Sequence, residues 1–158
     1  MRMLWSHLAA TDIGVVFSTG RHVLSTESST PKQCLVKRPT QFRDLNRTHV
    51  LMITNHGVHE WNVVPGMPDT GGQNVFVNQF TESLVAQGYR VTIVNRGGYA
   101  HPVTGRPQTG VHFHPDGHAR ILYIEDGKPE FVRKEDMGDQ MPKLVADLEK
   151  RLDADGAT

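Results

Sequence analysis

The chain has 158 residues, 17 Lys and Arg against 17 Asp and Glu, one cysteine and 37% hydrophobic residues, which suits about one soluble domain without a disulfide framework. Zero formal net charge removes the electrostatic footprint of a general nucleic-acid binder, which needs clustered Lys and Arg to displace counterions from phosphates. No run approaches the ~18 apolar residues of a membrane span, and His7, Asp12 and Gly14 interrupt the opening stretch where a signal peptide needs an unbroken apolar region, so a cytoplasmic protein is expected.

Residues 1–47 mix Ser25, Thr26, Ser28, Ser29 and Thr30 with scattered basic residues, Pro31 and Pro39. They hold no sustained period and read as a poorly ordered leader, with a short strand or helix around Ile13 to Phe17 left open. At Thr48 the character changes. His49-Val-Leu-Met-Ile-Thr54 is a continuous apolar run of strand length, as a strand buried on both faces should be. Gln73 to Gln87 then places Phe76, Phe80 and Leu84 at i, i+4 and i+8 with Val77 and Val85 beside them, one helical stripe, and Gly88 supplies the stop. Arg90 to Asn95 is a second short β-branched run. Strand, helix and strand in that order make a βαβ unit with parallel strands and a right-handed crossover, which points to a Rossmann-like α/β sheet.

The stretch 97–110 is dense in Gly, Pro and Thr and reads as an exposed loop. Val111 to His114 and Ala119 to Ile124 flank Pro115-Asp-Gly-His118, a β-hairpin insertion whose Asp-Gly pair favours a tight turn. A last helix is expected over about Asp139–Leu152, with Met141, Leu144, Val145, Leu148 and Leu152 as its core stripe, Pro142 in its first turn, and Asp147 paired with Arg151 at i, i+4.

Between the first strand and the first helix lies a loop, Asn55 to Gly72, far longer than the usual 2–6 residues of a βα connection. It sits at the carboxyl end of a parallel strand, where open α/β sheets bind ligands. Its end, Asp69-Thr-Gly-Gly-Gln73, runs into the helix. Two glycines let a phosphate or sugar approach the backbone, and the first free N–H groups with the helix dipole favour an anion. Gly66 to Gly71 has the interval of a P-loop, but Gly72-Gln73 stands where Lys-Ser/Thr would bind phosphate and Mg²⁺. A dinucleotide site wants G-x-G-x-x-G directly after the strand, which is absent, and the second strand ends in Asn95-Arg96 rather than an acidic ribose ligand. A tight turn alone explains one glycine well and two poorly.

Other residues carry weaker signals. His56 and His59 lie in the long loop and are candidates for ligand contact, as is His101 in the Gly/Pro loop. His112, His114 and His118 could converge on a metal, although alternating His on the solvent side of a hairpin is commoner and no metal is expected. Trp61 is a candidate for sugar stacking or for anchoring its loop, Asp69 for a turn or a ligand contact, and Arg96 for a solvated strand end.

The stretch PDTGGQNVFVNQFTESLVAQGYRVTIVNR resembles the start of the family 4 glycosyltransferases, in their sucrose-phosphate synthase and sucrose synthase branch. There a long loop after the first strand closes on D-T-G-G-Q. Asn55-His56-Gly57 is similar to the first part of that loop. Phe131 to Met137, followed by Met141-Pro-Lys-Leu, is similar to the family's Lys-Glu and helix-with-Pro segment. The resemblance covers about residues 48–152. It implies that residues 48–158 are the front part of the N-terminal, acceptor-side domain of a GT-B glycosyltransferase, which works with two Rossmann-like domains facing across a cleft. The reaction implied is retaining transfer of a hexose from a nucleotide sugar, UDP-glucose by resemblance, to a sugar or sugar phosphate.

Carried over to this sequence, the Gly71 and Gly72 amides would approach the diphosphate and sugar of the nucleotide sugar, and Gln73 would hydrogen-bond the acceptor. Arg96 and Lys134 would meet an acceptor phosphate, and His56, in the long loop, would contact a ligand. No catalytic residue is assigned, and no cofactor beyond the substrate nucleotide sugar is expected. The paired-glutamate segment of the family's second domain has no counterpart here, so the 158 residues are expected to be a truncated domain that is inactive alone. The alternatives are a non-catalytic sugar-phosphate, nucleotide or interaction module, or half of a split enzyme whose donor domain comes from a second polypeptide.

Overall fold

The computed structural model describes residues 13–18, 42–55 and 57–154. Among the described residues five strands, β1 (Ile13–Ser18), β2 (His49–Thr54), β3 (Arg90–Arg96), β4 (Val111–Phe113) and β5 (Ala119–Ile124), form one sheet in the order β1-β2-β3-β5-β4. The central three are parallel, while β1 runs antiparallel to β2 on one side and β4 antiparallel to β5 on the other. Two helices, α1 (Gly72–Ala86) and α2 (Met141–Ala154), cover the sheet. This is the Rossmann-like α/β architecture that the order of elements implies.

The continuous apolar runs follow from burial on both sides. Successive strand residues point to opposite faces, so a strand sandwiched between helices needs apolar side chains at every position. Val50, Met52, Val91, Ile93, Ile121 and Tyr123 pack toward Val77 and Leu84 of α1. Their neighbours Leu51, Val94, Leu122 and Ile124 pack toward Leu144, Leu148 and Leu152 of α2. The helices therefore lie on opposite faces.

The hairpin is present, with Gly117 at φ +73° in its turn and the Gly117 N–H donating to the His114 carbonyl at 2.9 Å. Its second arm, however, is a member of the main sheet rather than an excursion from it. All six residues of β5 are buried and pair in parallel with β3; only the exposed β4 is an addition at the edge. The strand left open near Ile13 also forms, and its six residues pair with all six of β2.

The helical stripe in α1 differs from the expected one. Phe76 and Phe80 are 55% and 38% exposed and stack on each other with ring centroids 5.8 Å apart. The inward positions are Asn74, Val77, Asn78, Thr81 and Leu84. A helix normally turns its most apolar side inward, but this one must also satisfy the polar groups of the long loop packed under its first two turns, and asparagines do that where phenylalanines cannot. In α2, Met141 is likewise exposed while Leu144, Leu148 and Leu152 carry the core. The expected i, i+4 pair forms, with Arg151 Nε 2.6 Å from Asp147 Oδ2.

Candidate functional site

The loop from Asn55 to Gly71 leaves the carboxyl end of β2 and folds back on itself. Its two ends meet: Gly57, at φ +54°, faces the Asp69 carbonyl so closely that a Cβ there would lie 2.2 Å from the oxygen. Only glycine combines that left-handed conformation with that approach. Next to this contact, Thr70 Oγ1 accepts from the Val58 N–H at 3.2 Å and lies 3.2 Å from the Val58 carbonyl. Asp69 itself has φ +50°, a conformation that Asp tolerates better than most residues. The loop is thus closed at its base, as an Ω-loop is.

His59 secures the middle of the loop. It is fully buried; its Nδ1 accepts from Asn74 Nδ2 at 3.2 Å and its Nε2 donates to Asn78 Oδ1 at 3.0 Å, which fixes the neutral tautomer with the proton on Nε2. The Tyr123 hydroxyl donates to the His59 carbonyl at 2.6 Å. Asn78 Nδ2 donates onward to the carbonyls of Glu60 and Trp61. His59 is therefore a structural histidine rather than a ligand contact. Trp61 anchors its loop: its Nε1 donates to the His112 carbonyl at 3.2 Å and its ring meets His114 edge-on at 4.9 Å. His112 turns to the Tyr123 ring, and among the described residues no group of three His, Cys, Asp or Glu is placed to hold a metal ion. His101 is buried and its Nδ1 accepts from the Val103 and Thr104 N–H groups, which occupies that nitrogen within its own turn.

The loop ends at the helix. Gly71 is the N-cap of α1, and its N–H donates to Asn74 Oδ1 at 3.0 Å, the N3-to-N-cap half of a capping box whose other half glycine, lacking a side chain, cannot make. Of the two amides assigned by resemblance to the nucleotide sugar, that of Gly71 is therefore already engaged. Gly72 and Gln73 follow as the first helical residues, whose N–H groups have no acceptor inside an α-helix. Among the described residues, a Cβ on Gly71 or Gly72 would meet nothing within 4 Å. The two glycines thus front open space at the positive end of the α1 dipole, the usual electrostatics of an anion site. Gln73 is half-buried beside them. His56 lies outside the described residues.

Lys134 opens a single 3₁₀ turn, Lys134–Asp136. Its backbone N–H points at Asp69 Oδ2, 3.4 Å away, across 65 residues of sequence. The Lys-Glu segment is thereby set against the Asp69-Thr-Gly-Gly loop. Arg96 is placed differently. It is 4% exposed, so it is not a solvated strand end. Its Nε and Nη2 make a bidentate pair with Asp126 at 2.9 and 3.0 Å, while Nη1 and Nη2 donate to the Glu130 and Lys128 carbonyls. The guanidinium also lies 5.4 Å from the centre of the Tyr99 ring. Four of its five N–H donors are thus used inside the chain, leaving little to offer a phosphate. Burial by itself would raise the Asp126 carboxyl, but the hydrogen bonds from Arg96 and from the Lys128 N–H outweigh it and hold the group below its ordinary value. Burial dominates at Tyr99, whose hydroxyl is pushed up to about 12 with Arg96 opposing the shift.

Several contributors escape a reading of residue types along the chain. Asn74, Asn78 and Thr70 shape the loop, and Asp126 removes Arg96 from solution. The available signal was the Asn74–Asn78 pair, spaced i, i+4 and in phase with Val77, Thr81 and Leu84; it marks a polar inner face only if the long loop packs there.

The sequence matches no protein-family model. It is 31% identical over 86 residues to a D-inositol 3-phosphate glycosyltransferase of Arthrobacter sp. (strain FB24), a match that takes in 54% of this chain and 19% of that protein. The fold superposes on sucrose-phosphate synthase from Thermosynechococcus elongatus with a TM-score of 0.51 and 26% identity, covering 65% of this chain and 23% of the other. The chain thus spans about a fifth of the length of either relative. Among the described residues no helix is long and apolar enough to cross a membrane. In both sequence and fold, then, what the chain resembles is part of a glycosyltransferase of the GT-B, sucrose-phosphate-synthase-like kind.

Proposed function

We propose that the chain forms part of the acceptor-side domain of a cytoplasmic, retaining hexosyltransferase that uses a nucleotide sugar such as UDP-glucose and a sugar or sugar-phosphate acceptor. The observation that carries this reading is the Asp69–Lys134 contact, which sets the two segments bearing the resemblance against each other at the mouth of the sheet. The Gly72 and Gln73 N–H groups supply fixed dipoles for the diphosphate of the nucleotide sugar. As the glycosidic bond to that phosphate breaks, such preorganised donors stabilise the charge that develops on the leaving group. Lys134 supplies the cation for an acceptor phosphate, and Gln73 and His56 border the acceptor. Arg96 acts by holding the Asp126–Glu130 segment in place. No bound cofactor is required, because the nucleotide sugar carries the activated hexose. Residues for the far side of the cleft come from outside this sequence, so the 158-residue chain alone binds ligands without turning them over.

Calorimetry with UDP, UDP-glucose and a hexose 6-phosphate tests the reading. The expected result is binding of a nucleotide and of the hexose phosphate by the full chain, weakened at least tenfold by Gly72→Val, whose added side chain enters space that the fold leaves empty. Absence of binding by the unsubstituted chain overturns it. Hydrolysis or transfer of UDP-glucose by the chain alone would overturn its inactivity.

A further inference from the structure

The hydrogen bonds between α1 and the long loop have a direction, and two backbone carbonyls set it. Asn78 Nδ2 donates to the Glu60 carbonyl at 2.9 Å and to the Trp61 carbonyl at 3.1 Å. Its Oδ1 is therefore the atom turned to His59 Nε2, 3.0 Å away, and only a protonated Nε2 satisfies it. In the neutral ring that leaves Nδ1 as an acceptor, so Asn74 must offer it Nδ2, at 3.2 Å. Asn74 Oδ1 then faces the other way and accepts the Gly71 N–H at 3.0 Å. His59 and Asn74 are fully buried, where a donor facing a donor is costly, so one link cannot reverse without the next.

We infer that His59 is a positioning residue that controls the Gly71 amide through Asn74: a proton taken up from solvent at Nδ1 turns Asn74 round and releases the Gly71 N–H to a bound anion. The protonated ring donates from both nitrogens. Nε2 keeps its bond to Asn78, but Nδ1–H now meets the Asn74 Nδ2 hydrogens, and Asn74 has to rotate its amide so that Oδ1 accepts from the ring. Nδ2 then faces the Gly71 N–H, donor against donor. Gly71 has no side chain to hinder rotation, and its Cβ position meets nothing within 4 Å among the described residues, so its amide can turn outward beside those of Gly72 and Gln73. Three amides instead of two then serve the ligand. By linkage, an anion that takes the Gly71 N–H makes His59 easier to protonate by the same factor.

The elements around the ring carry few competing charges. The inward residues of α1 are uncharged. Tyr123 on β5 and Tyr99 stay neutral, because burial pushes both hydroxyls up. His112 on β4 lies against the Tyr123 ring. Glu60, its carboxylate 4.0 Å from His101 Nε2, and Asp69 are the anions of the loop itself. Both ring nitrogens of His59 meet asparagines rather than any of these groups. The ligand of the relay rests on the proposed function; the coupling of His59 to Gly71 does not.

Nitrogen NMR of the ring and hydrogen exchange at Gly71, on the full chain without ligand between about pH 7.5 and pH 5, test the coupling. At the upper end His59 should show a protonated Nε2 and a bare Nδ1. As the ring takes its second proton, the protection factor of the Gly71 amide should fall about tenfold, the worth of one hydrogen bond, while amides between β3 and β5 keep theirs. The opposite tautomer, a protonated ring with Gly71 still protected, or a ring that stays neutral or protonates only as the sheet opens overturns the inference. Asn74→Asp separates a relay from a merely structural contact. A carboxylate accepts from Gly71 N–H and Nδ1–H together, so His59 should protonate at a higher pH than in the unsubstituted chain while Gly71 remains protected; release of Gly71 in this variant also overturns the inference. UDP-glucose, whose diphosphate keeps its charge across this range, reads the ligand side. Its affinity for the unsubstituted chain should rise about tenfold as His59 protonates, and should change little with pH in Asn74→Asp. A flat profile in the unsubstituted chain overturns the control of the site. No binding at any pH counts against the proposed function only, and the amide measurements then decide the relay.

Discussion

Two regions at the carboxyl ends of the parallel strands carry the same kinds of residue and use them in opposite ways. Above β3 and β5, a glycine and a cation are consumed by the chain itself. A Cβ on Gly97 would lie 2.2 Å from the Gln108 carbonyl oxygen and 2.7 Å from Tyr123 Cβ, and Arg96 is spent on Asp126 and two carbonyls. Above β2, a Cβ on Gly71 or Gly72 would meet nothing within 4 Å among the described residues, and the Gly72 and Gln73 amides have no acceptor inside the helix. Alanine is the better helix former, and no contact around Gly72 at the start of α1 demands glycine among the described residues. The β3–β5 side reads as structure and the β2 side as a place kept clear for something else.

Breaking the closed side should cost most. Arg96→Met leaves the buried Asp126 carboxylate without its partner, and removing one member of a buried ion pair typically costs about 3–5 kcal/mol. The pH dependence identifies the cause. In the unsubstituted chain the Asp126 carboxyl is held below its ordinary value of 3.8, so its contribution is complete above that pH and is lost as the pH falls through the depressed value. In Arg96→Met, burial is opposed only by the backbone N–H groups, so the same group protonates at a higher pH than it does beside Arg96. The deficit should be largest near neutrality and shrink toward pH 4. Urea midpoints at pH 7 and pH 4 check this; an equal deficit at both would mean that lost packing, not the charge pair, accounts for the change.

Gly97→Ala should come next. The added methyl meets backbone and a Cβ, neither of which can rotate away, so overpacking of about 1–3 kcal/mol is expected. A fall in the urea midpoint with unchanged slope would place the strain in the native state, whereas no change in midpoint would mean that the Gly97–Gln108 approach is looser than its geometry implies.

The same contrast separates what the sequence made legible from what it did not. β2, β3 and the βαβ order were readable because a strand buried on both faces must be apolar at every position, and no loop imitates that. The Gly71-Gly72 pair was readable because it stands between a strand and a helix. Arg96 was not: a strand-end arginine looks the same whether it meets water, a phosphate or an aspartate 30 residues later. The inner face of α1 was misread because periodicity weighs hydrophobicity alone, and Asn74 and Asn78 face inward to serve His59. Phe76→Ala therefore removes only an exposed i, i+4 contact and should cost about 0.2–0.5 kcal/mol, whereas Leu84→Ala should cost about 2–5 kcal/mol. Thermal denaturation of the two variants side by side checks the assignment, and comparable losses would restore Phe76 to the core.

The smallest effect on stability is expected where the proposed effect on binding is greatest. Gly72→Ala adds a methyl that meets nothing within 4 Å, at a first helical position where φ is negative and alanine is the better helix former. The change in stability should lie within about 0.5 kcal/mol of zero and on the favourable side. If the fold alone had placed glycine there, alanine would be tolerated in every respect. If a ligand approaches that backbone, alanine should leave the urea midpoint unchanged or higher while weakening the binding of UDP. Stability and affinity measured on the same preparation separate the two cases: a variant that is less stable and binds less would mean that the methyl disturbs the loop, and the β2 side would then resemble the β3–β5 side after all.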